Sequence, residues 1–217
     1  MIVLAVDTSG KTCSCAVAED GTLLGYRMLY TQRAHSQILL PMAKELLAET
    51  GHTVQDVDLF AAANGPGSYT GLRIGIAAMQ ALGFAGKKQC AGISTLEGLA
   101  WNLAARSGII CSCIAARKNL CYCAFFESNG MTVTRLTEDQ VMETGDIAAM
   151  IESYRGETVM MAGDGISVMH ESCEGFIPAP MHLVNQSACG IALAAMHTAP
   201  VSPEQLSVSY LQAVKIG

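Results

Sequence analysis

The sequence predicts an α/β protein in which one βββαβα unit occurs twice, giving two lobes of which the second is reduced. Three observations predict it. The spacing of apolar residues switches from period 2 to period 3.6 in the same order in both halves. The pair Ser107-Gly108 punctuates the chain where the pattern restarts. With 51% hydrophobic and 15% charged residues over 217 positions, there is material for a core in each half.

Residues 2–6 are a continuous apolar run, hence a buried strand. Residues 13–18 are a second strand, Asp20-Gly21 a hairpin turn and residues 23–29 a third strand. From 36 to 50 the period becomes helical: Ile38, Leu39, Met42 and Leu46 share a face, and Gly51 stops the helix. Pro41 requires that this helix begin near it or kink there. A strand at 57–63, a helix at 67–85, a short strand at 89–93 and a helix at 95–105 complete the first unit. The second has strands at 109–115, 122–127 and 132–136, a helix at 146–154, a strand at 158–162, a short strand at 176–178 and a helix at 187–197. The expected boundary falls between 1–106 and 107–217. Such a duplication is the plan of the actin–hexokinase–Hsp70 (ASKHA, RNase H-like) class, whose ligands sit between the lobes.

Bulk properties narrow the function. No apolar run reaches the ~20 residues of a membrane span. Asp7 interrupts the first apolar stretch and no basic region precedes it, so the start reads as a strand rather than a signal peptide. The expectation is a cytoplasmic protein with no membrane association. Net charge is −6 and the 13 Lys and Arg are scattered, which disfavours a stand-alone RNA binder. Six of nine cysteines form three C-x-C pairs, 13/15, 111/113 and 121/123. On strands, both sulfurs of a pair face one side, which suits small buried thiols better than a zinc site.

Two segments could carry chemistry. In the first, a strand delivers Asp7 into a hairpin of small residues, Thr8-Ser9-Gly10-Lys11-Thr12. It is either a vestigial phosphate loop of Asp7, Thr8 and Ser9, whose amides face an anion, or an Asp-initiated turn bonded to its own backbone. The second is Asn64-Gly65-Pro66-Gly67-Ser68-Tyr69-Thr70-Gly71-Leu72-Arg73, which follows a strand and opens a helix. Gly65 and Gly67 permit unusual dihedrals, Ser68 can cap the helix, and Gly71, Gly75 and Gly83 imply close packing. Arg73 opposes the helix dipole and is free to pair with an acid elsewhere. His35-Ser36 suggests a capping or interface role, and His52, His170, His182 and His197 form no metal motif. Met161-Ala162-Gly163-Asp164-Gly165 is a turn expected to face the cleft.

The stretches MIVLAVDTS, RAHSQILLPMAKELL and NGPGSYTGLRIGIAAMQALGFA resemble the TsaB (YeaZ) family, a paralogue of TsaD. The likeness is dense over residues 1–105 and weaker beyond, through AGDGI and a SYLQ tail. The family carries Asp-Ala-Arg where this chain has Ala115-Ala116-Arg117. TsaD holds a metal through H-x-x-x-H, and the corresponding positions here are Thr95 and Leu99, so a TsaD-like metal site is absent.

The resemblance implies a non-catalytic subunit that binds and activates TsaD, works with TsaE, and meets tRNA only through the complex. It implies a homodimer when alone, no cofactor, and nucleotide only at the interface with the partner. The first two helices carry more apolar surface than one sheet face covers, and their glycines would admit a partner helix. The expected partner-binding residues are therefore His35, Leu39, Met42, Leu46, Leu72, Ile76 and Met79. The alternative is that both helices coat the sheet of their own lobe. Rival functions are an ATP-dependent enzyme of the actin–hexokinase class and a glycoprotease-like peptidase.

Overall fold

Strands that are apolar on both faces require a sheet covered on both sides. The computed structural model describes residues 1–31, 33–169, 173 and 175–211, and has two such sheets. In the first, β1 (Ile2–Asp7), β2 (Thr12–Glu19) and β3 (Thr22–Tyr30) form an antiparallel meander. After α1 (His35–Glu49), β4 (Leu59–Gly65) adds in parallel to β1; after α2 (Tyr69–Gly86), β5 (Gln89–Ser94) adds to β4. The order is β3-β2-β1-β4-β5. Helix α3 (Thr95–Trp101) leads to the second unit.

There, β6 (Gly108–Arg117), β7 (Leu120–Ser128) and β8 (Val133–Arg135) repeat the meander, and β9 (Gln140–Glu143) also pairs with β7. Helix α4 (Thr144–Ser153), strand β10 (Val159–Ala162), helix α5 (Ile166–Met169) and strand β11 (Ile177–Pro178) follow. The order β11-β10-β6-β7-β8 matches the first sheet strand for strand. Helix α6 (Ala188–Ala195) comes last. The short β9 and α5 were not expected. Helix α1 starts six residues before Pro41 and runs through it, with Pro41 on the exposed side, so it does not begin there.

The helices are exchanged between the halves. α1 and α2 cover one face of the first sheet, against Leu4, Val6, Cys13 and Cys15. The other face, with Val3, Ala5, Ala16 and Ala18, is covered by α6 through Ile191, Ala192 and Ala195. Conversely α3 sends Leu96, Leu99 and Leu103 beyond it onto Ile110, Ala124 and Phe126 of the second sheet. α3 and α6 cross where a Cβ on Gly190 would lie 1.8 Å from the Gly98 carbonyl, so the backbones touch.

The chain after α6 also returns to the first lobe. Val201 bridges Cys90 through two backbone hydrogen bonds of 2.8 Å, and Leu206 is buried against the α1–α2 side of the core. Gln80 Nε2 donates to the carbonyls of Pro203 and Leu206. Burying a leucine contributes about 1.5–3 kcal/mol, enough to hold this strap down. Residues 187–210 therefore pack with the first sheet rather than with the second lobe in which the sequence placed them. Each of the three C-x-C pairs turns both sulfurs into one core. His170 and Gln212 lie outside the described residues.

Candidate functional site: the cleft between the lobes

The cleft lies at the ends of β1 and β6. Asp7 is the last residue of β1 and 1% exposed. Ser9 donates twice to Asp7 Oδ1, from its backbone N–H at 2.8 Å and its hydroxyl at 2.6 Å. Of the two readings of this hairpin, the Asp-initiated turn is the one whose hydrogen bonds are formed, and they occupy the acid. Burial pushes the Asp7 carboxyl up to about 6, against the pull of the two Ser9 hydrogen bonds.

The glycine-rich segment explains the burial. The Thr8 hydroxyl donates to the Gly71 carbonyl at 2.7 Å, and Ser68 N–H donates to the Ser9 carbonyl at 2.7 Å. Side chains on Gly67, Gly71 and Gly75 would strike Ser9 O at 2.5 Å, Thr8 O at 2.0 Å and Thr8 Oγ1 at 2.6 Å. Gly71 and Gly75 of α2 face inward and admit the hairpin, and Gly83 packs against Cys90 and Pro203, so these glycines receive the chain's own segments. Gly65, at φ +129°, receives the Ser209 backbone of the strap, and Ser209 N–H donates to Asn64 O. Ser68 caps α2 as expected, accepting from Gly71 N–H at 3.2 Å. Arg73 finds no acid among the described residues. Its guanidinium lies 4.0 Å from the Tyr69 ring centre and its Nε–H donates to Tyr210 Oη at 3.0 Å, while the two tyrosines stack at 5.4 Å. The strap brings Tyr210 there, which no local signal foretold.

The loop before α6 closes the hairpin from above. The Thr12 hydroxyl donates to the Gln186 carbonyl at 2.8 Å. Ser14 Oγ donates to Asp7 O and accepts from Ala188 N–H. What remains open is a cavity of about 410 Å³, bounded by Ser9, Gly10, Lys11 and Ser68 on one side and by Ala115, Ala116, Tyr122 and Asp164 on the other. Asp7 does not line it. The Gly163-Asp164-Gly165 turn does face the cleft, and Asp164 Oδ1 accepts from Ala115 N–H at 2.9 Å. A carboxylate thus stands beside Ala115, which carries no acid of its own.

Thr95 and Leu99 are buried, Leu99 in the core against the second sheet and the Thr95 hydroxyl without a hydrogen-bond partner among the described residues. One oxygen beside an apolar wall does not make a metal site, and no group of three or more His, Cys, Asp or Glu among the described residues is arranged to hold one. The neighbouring Glu97 is engaged across the lobes. Arg135 donates to Glu97 at 3.2 Å and to Asp139 at 2.6 Å, and the Ser94 hydroxyl donates to Asp139 at 2.6 Å.

The expected partner residues need correction. Leu39, Met42, Leu46, Ile76 and Met79 are buried against the first sheet, and Leu72 is buried on the α6 side. They are core, because the sheet face is wide enough to take the inward stripes of both helices. Only His35, at the start of α1, is partly exposed. The outward faces instead carry Leu40, Ala77, Ala81 and Phe84.

Two sheets of one topology, joined by reciprocal helices and meeting at an acid-ended hairpin, define the actin–hexokinase–Hsp70-like class. The ROK hexokinase of Thermus thermophilus shares that fold, with a TM-score of 0.52 at 11% identity over 89% of this chain and 98% of that one. Within the class, the chain belongs to the TsaB (YeaZ) family, related to TsaD. The TsaD family model, described as tRNA N6-adenosine threonylcarbamoyltransferase, matches residues 29–215. The protein named tRNA threonylcarbamoyladenosine biosynthesis protein TsaB of Escherichia coli (strain K12) is 32% identical over 163 residues, covering 73% of this chain and 70% of that protein. YeaZ from Pseudomonas aeruginosa superposes with a TM-score of 0.85 at 26% identity, over 97% of this chain and 99% of that one.

Proposed function

We propose that this chain takes part in tRNA threonylcarbamoyladenosine biosynthesis as a non-catalytic subunit that binds and activates a TsaD transferase, together with TsaE, in modifying the adenosine next to the anticodon. The names of its relatives supply the pathway. The observation that carries the non-catalytic part is the sealed acid. Asp7, the carboxylate this fold would use beside a phosphate, is 1% exposed and bonded to Ser9. A carboxylate so enclosed has no path to a substrate or to a metal-bound water. With a net charge of −6, the chain meets tRNA through its complex.

The partner surface in this reading is the outward side of α1 and α2, with Leu40 46% and Phe84 52% exposed. Alone, two copies cover it as a homodimer, and TsaD replaces one copy in a cytoplasmic complex. Any nucleotide lies at that interface. The test is co-purification with TsaD, followed by threonylcarbamoyl transfer to tRNA with and without this chain. Leu40→Glu and Phe84→Glu chains should fold, run as monomers and fail to retain TsaD. Folded variants that still bind TsaD would remove this surface from consideration, and transfer by this chain alone would refute the non-catalytic role.

A further inference from the structure

Strand β3 is the outer strand of the first sheet, paired with β2 on one side. Among the described residues no backbone group of β3 bonds to anything but β2. Its other row of N–H and C=O groups is therefore open. Proteins blunt such an edge with lysine, proline or a very short strand. β3 runs for nine residues, TLLGYRMLY, with neither lysine nor proline. Its one charge, Arg27, is turned onto α1 and held there by Glu45 and Glu49. Leu23, Leu24, Tyr26, Leu29 and Tyr30 are instead between 38% and 68% exposed. The pairing with β2 slips between Leu23 and Gly25, and from Gly25 to Tyr30 it is regular.

The open edge runs between two hollows. Toward α1 lies a groove of about 970 Å³, bounded by Leu29, Ile38, Pro41 and Met42. On the α6 side a cavity of about 200 Å³ is bounded by Leu23, Trp101, Leu183 and Leu193. An added strand sends alternate side chains to the two faces of a sheet, so one extended segment fills both hollows. The charges select its ends. Of the charged residues lining the groove, Arg27 and Glu45 are paired, and exposed Arg33 makes no ion pair among the described residues. At the other end of β3 stand Glu19 and Asp20, and Asp20 binds the N-terminal ammonium. We propose that the β3 edge receives an extended segment of a partner protein as a sixth, antiparallel strand of the first sheet. The segment is apolar at alternate positions, acidic where it passes Arg33 and basic where it passes Glu19. Antiparallel addition continues the β1–β2–β3 meander and gives the more stable ladder. The inference does not rest on TsaD binding, which should be the same for Arg33→Glu and Leu29→Lys as for wild type.

The experiment uses the full-length chain and a fluorescein-labelled, end-blocked peptide, Glu-Val-Thr-Val-Thr-Val-Lys, followed by fluorescence anisotropy. Run antiparallel to β3, its glutamate lies toward Arg33 and its lysine toward Glu19. Wild type should bind it saturably. The peptide with glutamate and lysine exchanged should bind about threefold more weakly, and Arg33→Glu should reverse that preference. A peptide N-methylated at every interior residue keeps its side chains, loses its backbone donors and should not bind. Leu29→Lys, at a half-exposed position, should stay folded by circular dichroism and weaken binding. No saturable binding by wild type, or equal binding of the methylated peptide, would overturn strand addition. Equal binding of the two charge orders would overturn the assigned ends. Self-association of the Leu40→Glu chain that disappears on adding Leu29→Lys would make the occupant a second copy and overturn the partner segment.

Discussion

The two lobes present equivalent hairpins to one cleft in opposite states. Between β1 and β2, Asp7, Thr8 and Ser9 are no more than 2% exposed, held by α2 and the loop before α6. Between β6 and β7, residues 116–119 are exposed, and Lys118 adopts a left-handed φ of 50°. The two strand orders match, so topology does not explain the difference. The neighbours do. Gly71 and Gly75 of α2 let the first hairpin sink onto that helix, whereas α4 of the second lobe starts at the exposed Asn119 end, where Thr144 N–H reaches the Asn119 carbonyl. Duplication copied the scaffold and left the surroundings free to seal one hairpin and bare the other.

Substitutions should respect that contrast. The largest effect belongs to Gly71→Ala, whose methyl would meet the Thr8 carbonyl at 2.0 Å. Backbone cannot yield as a flexible side chain can, so the loss should be about 3 kcal/mol or more despite alanine's better helix propensity. Chemical denaturation measures it, and an unchanged midpoint would mean the hairpin is not seated on α2.

Asp7→Asn comes next and carries a sign. The folded-state pKa is raised to about 6 from 3.8, so the folded protein binds the proton more tightly. This group's contribution to stability is therefore greatest at low pH, declines as pH rises through that window and stays lost above it. Asparagine cannot ionise and keeps an oxygen for Ser9. It should stabilise the protein at pH 7.5 by on the order of 2 kcal/mol, with the gain shrinking toward pH 4. A gain of the same size at both pH values would show that the carboxyl is not perturbed.

Thr12→Val removes the hydroxyl that satisfies the Gln186 carbonyl and should cost about 1 kcal/mol. The smallest effect is expected on the other hairpin: Lys118→Ala should stay within about 0.5 kcal/mol of wild type, apart from any relief or strain at its left-handed backbone.

What the sequence disclosed follows the range of each interaction. Strand and helix order was legible because a change of period is local, and the glycine run was correctly read as a sign of close packing. Its recipient was misread. Nothing in Gly71 or Gly75 says whether a foreign helix or the chain's own Thr8, 63 residues away, will approach. The same ambiguity put Leu39, Met42, Ile76 and Met79 on a partner surface. An apolar stripe identifies the buried side of a helix but not what buries it. Gln186 and the strap left no local trace, since Thr12 and the Gln186 carbonyl are 174 residues apart.

On the proposed function this chain supports the reaction without performing it, and the buried Asp7 takes no part in the chemistry. Threonylcarbamoyladenosine formation, reconstituted with TsaD, TsaE and tRNA, tests it through the Asp7→Asn chain. The expected rate equals that of wild type, with TsaD retained as before. A folded, TsaD-bound Asp7→Asn chain that no longer supports modification would contradict it.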